Sequence, residues 1–205
     1  MEFVTGLKCV FCGGTYSTRV PYTCPACGIT GTLDVQYDYR AIVRRLTRRS
    51  LAKRSDFSHW RYRELFPIRA NAVLPGLQVG WTPVVRADSL ARHLGLKTLY
   101  IKDDGRNPSG SLKDRASSVG VVKAREKRQK IIACASTGNA ASSLAGMAAS
   151  LGLRSVIFVP ERAPEPKVTQ LLIFGATVVR VRGSYEDAFR MCQAACERWG
   201  CVRRL

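Results

Sequence analysis

From about residue 80 onward, two kinds of apolar pattern alternate along the chain. Ile131-Ile132-Ala133-Cys134-Ala135, Ser155-Val156-Ile157-Phe158-Val159 and Thr177-Val178-Val179-Arg180-Val181 are short runs, mostly apolar on both faces. With the segment from Thr98 to Lys102, they predict strands. Between them, apolar residues recur at three- and four-residue intervals, which predicts helices over 88–94, 114–127, 139–151, 165–174 and 185–199. Strands buried on both faces and separated by helices predict a parallel sheet covered on both sides, an α/β fold. The first third of the chain is patterned differently. Thr32-Leu33-Asp34-Val35-Gln36-Tyr37 alternates as a strand does, and residues 39–75 read as helical and then irregular. Ile42, Val43, Leu46 and Leu51 form the inward face of that helical part, Trp60 and Tyr62 anchor a linker, and Pro67 and Pro75-Gly76 bound it. The pattern divides the chain into a module over 1–38, a basic helical segment and linker over 39–79, and an α/β domain over 80–205.

No apolar run is long enough to span a bilayer, and the N-terminus lacks the layout of a signal peptide. The expected setting is cytoplasmic and reducing, where the eight cysteines favour metal ligation or free thiols over disulfides. Cys9-Val10-Phe11-Cys12 and Cys24-Pro25-Ala26-Cys27 are two pairs with two-residue gaps. Two such knuckles can close a tetrahedral four-sulfur site suited to zinc, with no open position for catalysis. The predicted module is zinc-ribbon or rubredoxin-like and structural; a redox dithiol is the alternative.

A net charge of +18 favours anionic partners. Much of the excess lies between Arg40 and Arg63, where Arg44-Arg45 and Arg48-Arg49 recur at helical spacing. Two readings stand there, a nucleic-acid contact and a solvated amphipathic helix. The stretch has neither exposed aromatic interleaving nor a helix-turn-helix pattern, which weighs against nucleic acid.

Two loops concentrate candidate chemistry. In Asn107-Pro108-Ser109-Gly110-Ser111-Leu112-Lys113-Asp114-Arg115, a lysine stands at a helix start behind a Pro/Ser/Gly turn. Ser111 as cap and Asp114 three residues on resemble a capping box. Burial and the positive end of a helix both favour an uncharged, nucleophilic amine. Taken alone, Lys113 reads equally as a solvated surface lysine. The second loop, Ser136-Thr137-Gly138-Asn139, follows an expected strand and opens a helix. Its hydroxyls and helix-start amides make an anion cradle, and Asn139 adds an amide donor and acceptor. Small residues placed for close helix packing are the plainer reading of the same loop.

Together these two loops resemble the pyridoxal-phosphate enzymes of the tryptophan-synthase-β type, and among them the threonine synthases. Gly80-Trp81-Thr82-Pro83, the run from Leu99 to Arg106 and the cysteine knuckles strengthen the likeness, which extends from Cys9 to about Gly200. The resemblance implies a doubly wound parallel sheet and a lyase that converts O-phosphohomoserine and water to threonine and phosphate. It implies that Lys113 carries pyridoxal 5′-phosphate and moves protons, and that Asn139 bonds the cofactor's 3′-oxygen. Ser136, Thr137 and Gly138 would hold the substrate. Zinc at Cys9, Cys12, Cys24 and Cys27, a phosphorylated amino acid as partner, no membrane and room for a homodimer complete the expectation. Cysteine synthase, cysteate synthase and threonine dehydratase share the loops and remain alternatives, as does a non-enzymatic basic metal-ribbon protein binding nucleic acid.

In that family, a glycine-rich cradle for the cofactor phosphate and a partner for the ring nitrogen come from the C-terminal half. No such loop follows an expected strand here, and the pattern departs at Gly200-Cys201-Val202-Arg203-Arg204-Leu205. The expectation is therefore an N-terminal half of the parent fold, with Lys113 chemistry but without efficient turnover.

Overall fold

The computed structural model describes residues 1–20, 23–200 and 202–203. It divides into two compact units, one built from Met1–Asp56 with Trp60–Asn71 and the other from Phe57–His59 with the chain from Ala72 on.

In the first unit, β1 (Val4–Cys9), β2 (Thr15–Tyr16), β3 (Thr23–Cys24) and β4 (Gly28–Tyr37) form an antiparallel sheet in the order β2-β1-β4-β3. The alternating segment expected over 32–37 is the end of the longer β4, and β1 is its unforeseen partner, with Leu7 opposite Val35 and Cys9 opposite Leu33. Asp38 then caps α1 (Tyr39–Arg45) by accepting from the Ala41 amide at 2.9 Å. The basic segment is not one helix. A capping box between Thr47 and Ser50 restarts the chain as α2 (Arg48–Ala52). Of the expected inward face, Ile42 is buried and Leu46 and Leu51 are half-buried, but Val43, next to Ile42 on the same short helix, is exposed. Trp60 is buried against Phe66, whereas Tyr62 is exposed.

In the second unit, β5 (Val84–Arg86), α3 (Asp88–His93) and β6 (Tyr100–Lys102) come first, then α4 (Lys113–Glu126), β7 (Ile131–Ala135), α5 (Asn139–Ser150), β8 (Arg154–Pro160), α6 (Glu165–Ile173), β9 (Thr177–Val181), α7 (Tyr185–Trp199) and β10 (Val202–Arg203). One expectation fails here. The strand near 98–102 does not join the parallel sheet; β6 pairs antiparallel with β5, Val85 opposite Ile101, and all six of their residues are exposed. A strand without a buried face has no reason to enter a sheet covered on both sides.

The remaining strands are parallel, in the order β10-β7-β8-β9. On one face, Ala133, Ala135, Phe158 and Val181 pack with Ala188, Cys192 and Ala195 of α7. The chain steps outward from β7 through β8 to β9, with α5 and α6 as the crossovers. It then returns through α7 to β10 on the other side of β7. Right-handed crossovers place outward and returning helices on opposite faces, so the sheet is doubly wound. The strand order reverses between β7 and β10. In such sheets ligands sit beyond the carboxyl ends of the strands at that reversal. The residues immediately beyond β7 are Ser136 to Asn139. Cys201, Arg204 and Leu205, part of the expected break in pattern, lie outside the described residues.

Candidate functional site

The register between α4 and α5 assembles the site. Ser143 Oγ donates to Ser117 Oγ, and Arg125 Nη1 donates to the Leu151 carbonyl at 3.2 Å. Both ties join residues 26 apart in sequence. Two ties with one offset mean that the helices run parallel and level. The same offset aligns Lys113 with Asn139, each one turn before the serine pair on its own helix. Residues four apart share a helix face, so Lys113 and Asn139 stand at the same end of the pair, on the faces that meet.

The loop before Lys113 is held differently from the capping box expected of it. The α4 N-cap position is Leu112, and no side chain caps it. Asp114, fully buried, turns back instead: its carboxyl oxygens accept from the Ser109 amide at 2.7 Å and the Ser109 hydroxyl at 2.6 Å. Ser111 Oγ accepts from the Lys113 amide at 3.3 Å. The acid closes the Ser-Gly-Ser turn rather than completing the helix start. Lys113 itself is exposed at the first position of α4. The positive end of the helix is there, while the burial anticipated for the amine is not supplied.

A second tier fixes this loop from behind. Arg115 donates a fork of bonds to Asp104, from Nε at 2.7 Å and Nη2 at 2.8 Å, and Thr82 Oγ1 donates to the same carboxylate at 2.6 Å. Asn107, buried, accepts from the Gly80 amide at 2.9 Å and donates to the Asp104 carbonyl at 2.8 Å. Gly80 has φ +83°, and a Cβ there would meet the His59 amide at 2.9 Å. The Gly80-Trp81-Thr82-Pro83 segment and the Leu99–Arg106 run are thus one scaffold under the lysine loop. The Arg115 guanidinium holds the Asp104 carboxyl well below the usual carboxylate range. A depressed acid contributes stability above its ordinary value of 3.8 and loses it as pH falls through the lower folded value. Asp104→Asn is therefore expected to lower Tm by a constant amount from pH 5 to 8. The gap between wild type and variant should begin to narrow only below about pH 4 in a thermal-melt series.

Beyond β7, Ser136 Oγ accepts from the Gly138 amide at 3.2 Å. Gly138 is the N-cap position of α5 without a side-chain cap, so the first turn presents its amides. Ser136, Thr137 and Gly138 are half-buried and Asn139 is exposed. Two groups escaped the sequence reading. Lys167 of α6 donates from Nζ to Asn139 Oδ1 at 3.3 Å, which brings a cation to the cradle. Tyr185, first in α7, donates its hydroxyl to the Ala135 carbonyl at 3.2 Å, at the end of β7. Lys167 had no local signal, since it sits on the next helix; Tyr185 follows the Ser184 capping box and reads as an ordinary helix start.

The four knuckle cysteines also converge. The sulfurs of Cys9, Cys12, Cys24 and Cys27 lie within 4.8 Å of one another. The Tyr16 hydroxyl bonds Cys24 Sγ at 3.1 Å and pulls that thiol down to about 6; the bond raises Tyr16 above the ordinary phenol range. The Cys12 sulfur, hydrogen-bonded beside it, pushes Cys27 up to about 12.

Chemically, the second unit offers a primary amine, an amide donor, an uncapped helix start and an added cation around one strand end. The family described as pyridoxal-phosphate dependent enzyme matches residues 76–203. Threonine synthase of Methanocaldococcus jannaschii is 39% identical over 186 residues, covering 90% of this chain and 45% of that protein. Threonine synthase of Methanosarcina acetivorans is 41% identical over 194 residues, covering 94% and 46%. The chain thus spans about half the length of these relatives. Among solved structures, the processed form of threonine deaminase isoform 2 from Solanum lycopersicum superimposes with a TM-score of 0.56 at 26% identity, covering 60% of this chain and 34% of that one.

Proposed function

We infer the activity of this chain from one premise: it belongs to the pyridoxal-phosphate-dependent enzyme family. The reading is a threonine-synthase-type lyase site that takes O-phosphohomoserine and water to threonine and phosphate. The observation that carries it is the shared register of α4 and α5, which sets Lys113 level with Asn139 beside an uncapped helix start. Its similarity to two threonine synthases runs along nine-tenths of the chain.

The donor set fits the aldehyde and ring-oxygen side of pyridoxal phosphate. Lys113 is an exposed amine free to bond a carbonyl carbon. Asn139 accepts from Lys167 through its carbonyl oxygen, which leaves its amide nitrogen to donate to an anionic ring oxygen. Once bound, the cofactor supplies an electron sink for a carbon that loses its proton. Lys113 Nζ would be the base that moves protons between adjacent substrate carbons. Ser136, Thr137 and the α5 amides hold the substrate's carboxylate or phosphate, and Lys167 adds charge on the same side. The excess of basic residues draws a phosphorylated substrate toward the chain.

With pyridoxal phosphate supplied, whatever turnover this half of the parent fold supports is expected to take O-phosphohomoserine to threonine and phosphate in equal amounts, in preference to any reaction of serine, threonine or O-acetylserine. Ammonia released from serine or threonine as the dominant product would move the assignment to a dehydratase, and sulfide capture by O-acetylserine to a cysteine synthase. Lys167→Met is expected to weaken half-saturation by O-phosphohomoserine about tenfold, the worth of one charge-assisted hydrogen bond. Its effect on an unphosphorylated analogue should be small; equal weakening of both would remove Lys167 from phosphate recognition.

A further inference from the structure

We propose that Cys9, Cys12, Cys24 and Cys27 form a structural zinc site that folds the first unit, independent of the chemistry at Lys113. The four sulfurs stand close to the spacing of a loaded site. Zinc–sulfur bonds of about 2.3 Å in a tetrahedron imply sulfur–sulfur edges of about 3.8 Å. Cys12 and Cys24 Sγ stand 3.7 Å apart, and all four sulfurs fall within 4.8 Å. None of the four is disulfide-bonded.

The surroundings are built for thiolates. The amides of Phe11 and Cys12 donate to Cys9 Sγ at 3.4 and 3.5 Å, and Tyr16 reaches Cys24 Sγ. These bonds spread the negative charge that four thiolates place on a divalent ion and orient the ligands. Gly31 of β4 is buried against the cluster. A Cβ there would lie 2.8 Å from Cys27 Cβ and closer still to Cys24 Cβ, so the knuckles close only over a residue with no side chain.

The sheet itself has little other core. Among the described residues of 1–38, the buried apolar side chains are Phe3, Cys9 and Cys24, and two of those three are ligands. A sheet with so small a core needs a staple, and metal binding is then folding free energy. Four sulfur ligands with no open position select zinc in a non-catalytic role.

Elemental analysis of the full chain, purified without chelator or added metal, is expected to find about one zinc per chain. Cys12→Ser and Gly31→Ala should each reduce zinc to a small fraction of that. Tyr16→Phe should keep the stoichiometry but release zinc to a chromogenic chelator about tenfold faster. A readout that needs no variant guards against misfolding: wild-type chain stripped by chelator and reloaded with cobalt should show the thiolate charge-transfer and tetrahedral d–d bands of a four-sulfur site. Iron in place of zinc, no bound metal, a mass deficit from disulfides among these cysteines, or full zinc in Cys12→Ser would each overturn the proposal. None of these readouts depends on cofactor or substrate, so a failed threonine-synthase reading leaves them intact.

Discussion

Asp114→Ala is expected to destabilise the second unit by roughly 3 kcal/mol, because it strips two hydrogen bonds from a fully buried carboxyl group and leaves the Ser109 amide and hydroxyl without their acceptor. Those bonds close the turn that presents Lys113, so the same change should loosen the lysine loop. Asp114→Asn keeps the shape and one acceptor oxygen and should cost about half as much. Asp88→Ala, on an exposed side chain, is the control and should stay within about 0.5 kcal/mol. Chemical denaturation of the three variants checks the order. An Asp114→Ala chain as stable as wild type would mean that the turn is held from elsewhere, by the Asp104–Arg115 tier alone.

That result would also bear on how the loop is read from sequence. Ser111 followed by Asp114 looks like a helix cap because the capping box is a three-residue pattern. The structure uses Asp114 over a longer span, back to Ser109, and no periodicity encodes that choice. The α/β core was legible for the opposite reason. Ile131–Ala135, Thr177–Val181 and Tyr185–Trp199 are strands and a helix whose burial follows from their own spacing. Strands β1 and β5 were not legible. β1 carries Gly6 and Lys8 and owes its pairing to β4, and β5 is exposed along its whole length. The two candidate loops were legible as loops, but their alignment was not. It rests on Ser117, Ser143 and Arg125, which read as unremarkable helix positions until their partners are known. Lys167 shows the same limit, since its role comes from a neighbouring helix.

The largest functional effect is expected at Lys113. An amine can attach a carbonyl cofactor from many surface positions, but few lysines hold it there. Lys113 starts α4 level with Asn139 at the start of α5, by the register the two helices share, and the Asn139 amide and the α5 start would grip the cofactor's ring oxygen and the substrate's anion. Lys113→Ala keeps α4, since alanine is the best helix former and the side chain is exposed. It should therefore fold as wild type while retaining less than about a tenth of the specific covalent cofactor and of any turnover. Asn139→Ala should keep attachment but weaken it, because it removes a grip and not the bond.

The most direct measurement is reductive trapping. Wild-type chain is incubated with a slight excess of pyridoxal phosphate, reduced with borohydride, digested and mapped by mass spectrometry. Modification is expected to concentrate on Lys113, with Lys102 and Lys167 at background and no concentrated site in Lys113→Ala. Modification spread evenly over the surface lysines, or unchanged in Lys113→Ala, would contradict it.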